Sequence, residues 1–169
     1  MKVSFRNMQE DDIPSIMEIE TVSFGKYHWS EKSFITEINN NLAHYYIGIN
    51  EDNKLVSYCG FWDILKEAHI TTFAVHPDLR KQKIAQQMLV YMIKKAYDME
   101  IKWFTLEVRE SNIAAINLYK KFGFDCIGER EKYYQDNNEN ALIMWTENIF
   151  SDKFKNNFKA IEQSIEALN

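Results

Sequence analysis

The segment Phe73–Leu89, FAVHPDLRKQKIAQQML, constrains the fold more than any other stretch of this chain. A strand-like run ends at His76-Pro77-Asp78, where proline fixes φ and pushes the residue before it out of the helical region. From Ile84 the apolar residues recur at Ile84, Met88, Leu89, Met92, Ile93 and Ala96. That is the spacing of one helix face. Between strand and helix lie Arg80, Lys81, Gln82 and Lys83. Backbone N–H groups and three cations at a helix N-terminus suit a phosphate or pyrophosphate. Taken alone, so short a motif reads more simply as a solvated basic turn.

The remaining elements follow from periodicity and caps. Val3–Met8 reads as an opening strand. Asp12 caps a helix with an early, tolerated Pro14, and Ile13, Ile16, Met17, Ile19 and Glu20 follow in helical register. Phe24–Trp29 is an aromatic loop, after which Ser30 caps a second helix with Phe34 and Ile38 on one face. Tyr45–Ile49 and Lys54–Ile64 are strands joined by a polar turn, and His69–Val75 completes a meander. The helix after it ends near Asp98, and Trp103–Val108 is a further strand. Ser111-Asn112 starts a helix that Gly123 terminates as a left-handed cap. Phe124–Arg130 and Ala141–Glu147 close the sheet, linked by the polar, aromatic segment Glu131–Asn140. Helices interspersed with a meander predict an α+β fold around a mixed, mostly antiparallel sheet.

The chain divides into a main domain, 1–147, and an extension, 148–169. In the extension Phe150, Phe154, Phe158, Ile161, Ile165 and Leu168 form one apolar helical stripe. Its first reading is a cover for the protein's own core; a homodimer or partner contact through this C-terminal helix is the second. A net charge of −5 disfavours nucleic acid as a partner and favours a basic peptide. No apolar run has membrane-spanning length, and the first twelve residues lack the features of a secretion signal. Cys59 and Cys126 sit in strand-like runs without pair spacing, which predicts reduced core cysteines in a cytoplasmic protein. His28, His44, His69 and His76 show no metal-ligand spacing, so no metal is expected.

Several spaced motifs, taken together, resemble the GNAT superfamily of acetyl-CoA-dependent N-acetyltransferases over about Val3–Glu147. The family's acetyl-CoA loop matches Arg80-Lys81-Gln82-Lys83-Ile84-Ala85, with Lys83 standing where the family has glycine. Within the superfamily the chain resembles the RimI type, the bacterial ribosomal-protein-alanine N-acetyltransferases. That likeness rests on Trp29-Ser30-Glu31-Lys32-Ser33-Phe34, on Leu106–Asn112, on Ala114-Ala115-Ile116 with Leu118-Tyr119, and on Phe122-Gly123-Phe124. Lys132-Tyr133-Tyr134 and Ala141–Met144 extend it. The resemblance implies a GNAT fold, acetyl-CoA as cosubstrate, and a protein N-terminus as acceptor, first of all the N-terminal alanine of a small-subunit ribosomal protein. Another N-terminus, a lysine or a small amine is the alternative within the class. A CoA-binding interaction module weakened by Lys83 is the alternative outside it.

Acetyl transfer to an α-amine needs a neutral amine, and at a pKa of about 8 only a minority is neutral near pH 7. A positioned base removes that obstacle. The resemblance assigns this role to Glu107, whose bland alternative is an ion pair with Arg109. It assigns Tyr119 as proton donor to the departing thiolate; otherwise the ring is ordinary core. It lays pantetheine along Phe73, Ala74 and Val75, the pyrophosphate on the amides from Lys81 through Gln82, Lys83, Ile84 and Ala85 to Gln86, and CoA near Asn112. Lys83 is expected to keep the loop's path and point outward. Acceptor contacts fall to Phe24, Trp29, Tyr133 and Tyr134.

Overall fold

The computed structural model describes residues 1–167, so Leu168 lies outside the described residues. The elements run β1 (Val3–Asn7), α1 (Ile13–Phe24), α2 (Glu31–Ile38), β2 (Ala43–Asn50), β3 (Leu55–Ile64), β4 (Glu67–Val75), α3 (Ile84–Asp98), β5 (Trp103–Arg109), α4 (Ile113–Lys121), β6 (Phe124–Tyr134), β7 (Glu139–Thr146) and α5 (Asp152–Glu166). The strands form one seven-stranded sheet in the order β1-β2-β3-β4-β5-β7-β6. All neighbours are antiparallel except β4 and β5. This is the mixed, mostly antiparallel α+β architecture that the motif order predicts.

Strand alternation splits the core into two layers. Phe104, Leu106 and Val108 of β5 point to the face covered by Met88, Leu89, Met92 and Ile93 of α3 and by Ile116 and Tyr119 of α4. Tyr45, Ile47, Tyr58 and Ala74 point to the other face, against Ile13, Ile16 and Ile19 of α1 and Phe34 of α2. On the second face of β5, Thr105 is buried, whereas Glu107 and Arg109 further along are only partly covered. Gly123 sits at φ 87, where a side chain is strained, and the Phe154 ring packs beneath it.

The apolar stripe of α5 is used within the chain. Phe154, Phe158, Ile161 and Ile165 are buried in the same cluster as α3 and α4, and Phe150 packs edge-on against Tyr97. Lys94 of α3 pairs with Glu162 of α5 on the rim of that contact.

Three local expectations change. Asp12 occupies the N-cap position of α1 as expected but makes no side-chain bond to that helix, because its carboxylate is held by Arg6 Nη1 and Nη2 at 2.7 Å and by the Gln9 amide, as part of the capping box of the short turn before it. Cys59 is buried, whereas Cys126 is exposed, since it lies on an edge strand that the helices leave bare. The segment Glu131–Asn140 is largely strand: β6 runs through Tyr134, β7 starts at Glu139, and only 135–138 turn.

Candidate active site

β4 and β5 pair at three positions only, Glu67–Trp103, Ala68–Phe104 and His69–Thr105. Beyond these, β4 continues to Val75 and β5 to Arg109 without pairing, so the sheet opens as a V. Thr71 is an extra residue in β4, since Gly60 faces Thr72 while the adjacent Phe61 faces Ile70. Such a bulge bends and twists its strand. Past it, the His76 amide donates to Val56 of β3 at 2.9 Å. Alternation then turns the polar backbone groups of Val75 and Phe73 away from β3 and into the opening. A linear ligand rich in amides can bind there as an added strand.

The turn after β4 ends beside that opening. Lys83 lies in the left-handed region at φ 63 and ψ 12, and Lys81 at φ 63. Lysine thus takes the conformation that glycine adopts without cost, and its side chain is exposed. The first helical bond runs from the Gln87 amide to the Lys83 carbonyl. The amides of Lys81, Gln82 and Lys83 make no hydrogen bond among the described residues, and those of Ile84, Ala85 and Gln86 are the orphan donors of any helix start. Ile84 is anchored in a small cluster with Val3, Val56 and Val75. Arg80 folds back to donate to the Val75 carbonyl at 3.4 Å, and Lys121 of α4 reaches the Gln86 side chain at 2.9 Å. Donors and cations of this kind fit a diphosphate.

Two candidate proton carriers approach the V from opposite faces of the sheet. Glu107 is 28% exposed on the second face of β5, and its Oε1 forms an ion pair with Arg130 Nε at 2.7 Å. Its partner is therefore not Arg109, whose guanidinium is taken by Asp136 at 3.0 Å and Glu139 at 3.3 Å. A hydrogen bond to Glu107 raises the Tyr133 phenol above its ordinary value. Tyr134 stacks on the Arg109 guanidinium at 3.8 Å, and burial pushes its phenol up to about 12.

On the other face the Tyr119 ring is 6% exposed and packs on Phe73 and Phe124, with centroids 6.2 and 5.4 Å away. The contact with Phe73 carries it from α4 to the β4 side of the V. Its hydroxyl makes no hydrogen bond among the described residues yet is not sealed from solvent. Burial raises this phenol well above the usual tyrosine value, so it stays protonated. Asn112 caps α4 by accepting from the Ala115 amide at 3.2 Å, which leaves its side-chain NH2 group unused.

Phe24 is exposed at the end of α1, and the Trp29 ring packs on Phe34 and on Tyr45. Tyr45 in turn meets Thr71, the bulge residue, at 2.5 Å between hydroxyls. One aromatic ring therefore separates Trp29 from the edge of the opening. Tyr133 is exposed and Tyr134 half-buried on the far side.

Sequence reasoning missed three groups here: Arg130 as the partner of Glu107, the Asp136–Glu139 clamp on Arg109, and the buried Glu20. Hydrogen bonds from Ser111, supported by Asn137 and Arg109, pull the Glu139 carboxyl down to about 2. Strand register brings Arg130 to Glu107 and the clamp to Arg109, and the path of the Phe24–Trp29 loop brings Trp29 to Glu20, so no spacing along the chain announces these partners.

The splayed parallel pair, the donor-rich turn and the helix it starts are what an acyltransferase of the acetyl-CoA-using kind needs to hold its cosubstrate. The sequence pattern of the Acetyltransferase (GNAT) family matches residues 13–124, and the chain belongs to that family. More particular likenesses follow. The chain is 39% identical over 144 residues, 85% of its length and 95% of the other, to a Bacillus subtilis protein provisionally named as a ribosomal protein bS18-alanine N-acetyltransferase. It is 30% identical over 140 residues, 82% of its length and 93% of the other, to the ribosomal protein bS18-alanine N-acetyltransferase of Escherichia coli K12. The crystal structure of the ribosomal-protein-S18-alanine N-acetyltransferase from Escherichia coli superposes with a TM-score of 0.78 at 27% identity, covering 86% of this chain and 94% of that one. Among the described residues no helix is long and apolar enough to cross a membrane.

Proposed function

We propose that this protein transfers the acetyl group of acetyl-CoA to the α-amine of the N-terminal alanine of ribosomal protein bS18, in the cytoplasm. The observation that carries the proposal is similarity over more than four-fifths of the chain to enzymes that bear that activity in their names. The unit that acts is 1–147, with 148–169 as a supporting extension.

In this proposal pantetheine pairs with the free edge of Phe73-Ala74-Val75, and the pyrophosphate lies on the amides of residues 81–86. Arg80, Lys81 and Lys83 supply charge, and the Asn112 NH2 group donates to CoA. The acceptor peptide enters between the Phe24–Trp29 loop and Tyr133-Tyr134. Glu107 exchanges its contact with Arg130 for the incoming amine, directly or through a water, and accepts its proton. The amine nitrogen attacks the thioester carbonyl; the C–N bond forms and the C–S bond breaks. The nitrogen gives up its second proton to Glu107 once the carboxylate has passed the first to solvent, and Glu107 releases this one to solvent in turn. Tyr119 gives its proton to the leaving sulfur, and solvent reprotonates the phenolate.

Incubation with acetyl-CoA and a panel of peptides, read by tandem mass spectrometry, tests this. The expected product is an acetyl group on the α-amine of a peptide carrying the bS18 N-terminus. Acetylation only of lysine side chains or polyamines, or of nothing, would refute it.

A further inference from the structure

We infer that Glu20 is a positioning residue: it clamps the Phe24–Trp29 loop through the Trp29 amide and so sets acceptor binding. This rests on the proposed role of that loop in holding the acceptor. Glu20 lies on α1 and is 2% exposed, the most deeply buried carboxylate among the described residues. No step of the proposed transfer uses it. Its Oε1 accepts from the Trp29 N–H at 2.7 Å, and its Oε2 accepts from the Tyr58 hydroxyl.

The loop depends on that bond. Gly25 ends α1 at φ 56 and ψ −132, a single 3-10 turn spans Gly25–Tyr27, and the His28 amide returns to Gly25 within the loop. His28 Nδ1 bonds the carbonyl of its neighbour Trp29. Among the described residues, the Trp29 N–H to Glu20 bond is the only hydrogen bond that ties residues 26–29 to a side chain outside the loop. It fixes the backbone at the point where the indole docks on Phe34 and Tyr45.

Glu20 also reaches the strand beside β4. The Tyr58 hydroxyl that it accepts from belongs to β3, where Tyr58 stands opposite Ala74. The bulge residue Thr71 separately meets the Tyr45 hydroxyl on the α1 side. Glu20 thus ties the acceptor loop to Tyr58 of β3, the strand that pairs with the proposed pantetheine edge, in one buried polar network. Taking a charged acceptor out of such a network leaves buried donors unsatisfied.

The test uses the full chain and steady-state kinetics with acetyl-CoA and the bS18 N-terminal peptide. Glu20→Leu removes the acceptor at similar volume; Glu20→Gln keeps an oxygen for Trp29. Because Glu20→Leu orphans the Tyr58 hydroxyl and can fail to fold, the double variant Glu20→Leu with Tyr58→Phe makes the pair apolar and recovers stability. The expected result is that the double variant melts near the wild type. Its kcat/KM for peptide should stay down by about ten- to a hundred-fold, the loss of one charge-assisted hydrogen bond, with KM for acetyl-CoA changed less than two-fold. Glu20→Gln should recover most of the peptide kcat/KM. Amide exchange in residues 25–30, but not 81–87, should quicken in the double variant, a readout that needs no turnover. Peptide kinetics that return with stability in the double variant, or a matched loss for both substrates, would overturn the inference. A wild type that acetylates no N-terminal peptide, with exchange still altered at 25–30, would instead sink the functional reading and leave the clamp standing.

Discussion

Arg130 of β6 and Glu107 of β5 meet across the intervening strand β7, Nε to Oε1 at 2.7 Å. The arginine is 56% exposed, so the pair contributes at most about 1 kcal/mol to stability. Glu107→Gln should therefore shift the melting temperature little. If Glu107 accepts the amine proton, kcat should fall by roughly 10²–10⁴ with KM for acetyl-CoA unchanged. Parallel melting curves and initial rates check this, and a variant with wild-type kcat rules the carboxylate out as the base.

Tyr119→Phe isolates the hydroxyl from the ring. The ring's contacts with Phe73 and Phe124 survive, and the hydroxyl has no partner to lose among the described residues. Stability should change by less than about 0.5 kcal/mol, as for substitutions that touch no packing. Rate should drop about a hundred-fold if the phenol protonates the leaving thiolate. Denaturant midpoints and single-turnover rates separate the two effects.

Lys83→Gly restores the residue that the left-handed conformation favours. The strain relieved, about 1–2 kcal/mol, exceeds the added flexibility of the unfolded chain, about 0.5–1 kcal/mol. The variant should be as stable as the wild type or slightly more so. It should also lose part of the attraction for phosphates, so KM for acetyl-CoA should rise a few-fold at low salt and converge with the wild type at high salt. A KM that ignores both the substitution and the salt would remove Lys83 from the cofactor site.

Glu139 makes acid sensitivity specific. Its folded carboxyl titrates near 2 against an ordinary 4.5, so its contribution is complete above pH 4.5 and disappears as pH falls toward 2. Glu139→Gln should lower the urea midpoint at pH 7 and flatten the fall between pH 4.5 and 2. Because Glu139 holds the Ser111 amide at 2.7 Å, the start of α4 should loosen as well, visible as faster amide exchange at residues 111–115.

The C-terminal helix is expected to behave as core. Phe154→Ala removes a ring that is 2% exposed beneath Gly123 and should cost about 3–5 kcal/mol by chemical denaturation. Were α5 a dimer contact instead, the same substitution would change the sedimentation coefficient with little loss of stability.

Periodicity and caps were enough for the order of elements, for the helix that starts at Ile84, and for the turn at Gly123, because each depends on neighbours within a turn or two. The loop 80–85 was legible for the same reason: its donors are consecutive. The strand boundaries at 131–140 were not, since alternating polar and aromatic residues on an uncovered edge strand carry no burial signal. The partner of the Asp12 side chain and the burial of Cys126 were not legible for a related reason; they are set by Arg6 from the preceding strand and by the bareness of β6.

By itself, then, the sequence determined the succession of strands and helices and the chemistry available at each, through local backbone preferences and the period of apolar residues. Only the tertiary structure decided that β4 and β5 part after His69 and Thr105, that Arg130 rather than Arg109 meets Glu107, and that Glu20 lies buried under Trp29. The first two relationships come from strand register and the third from the path of the loop after α1, and such pairings leave no mark on the spacing of residues along a chain.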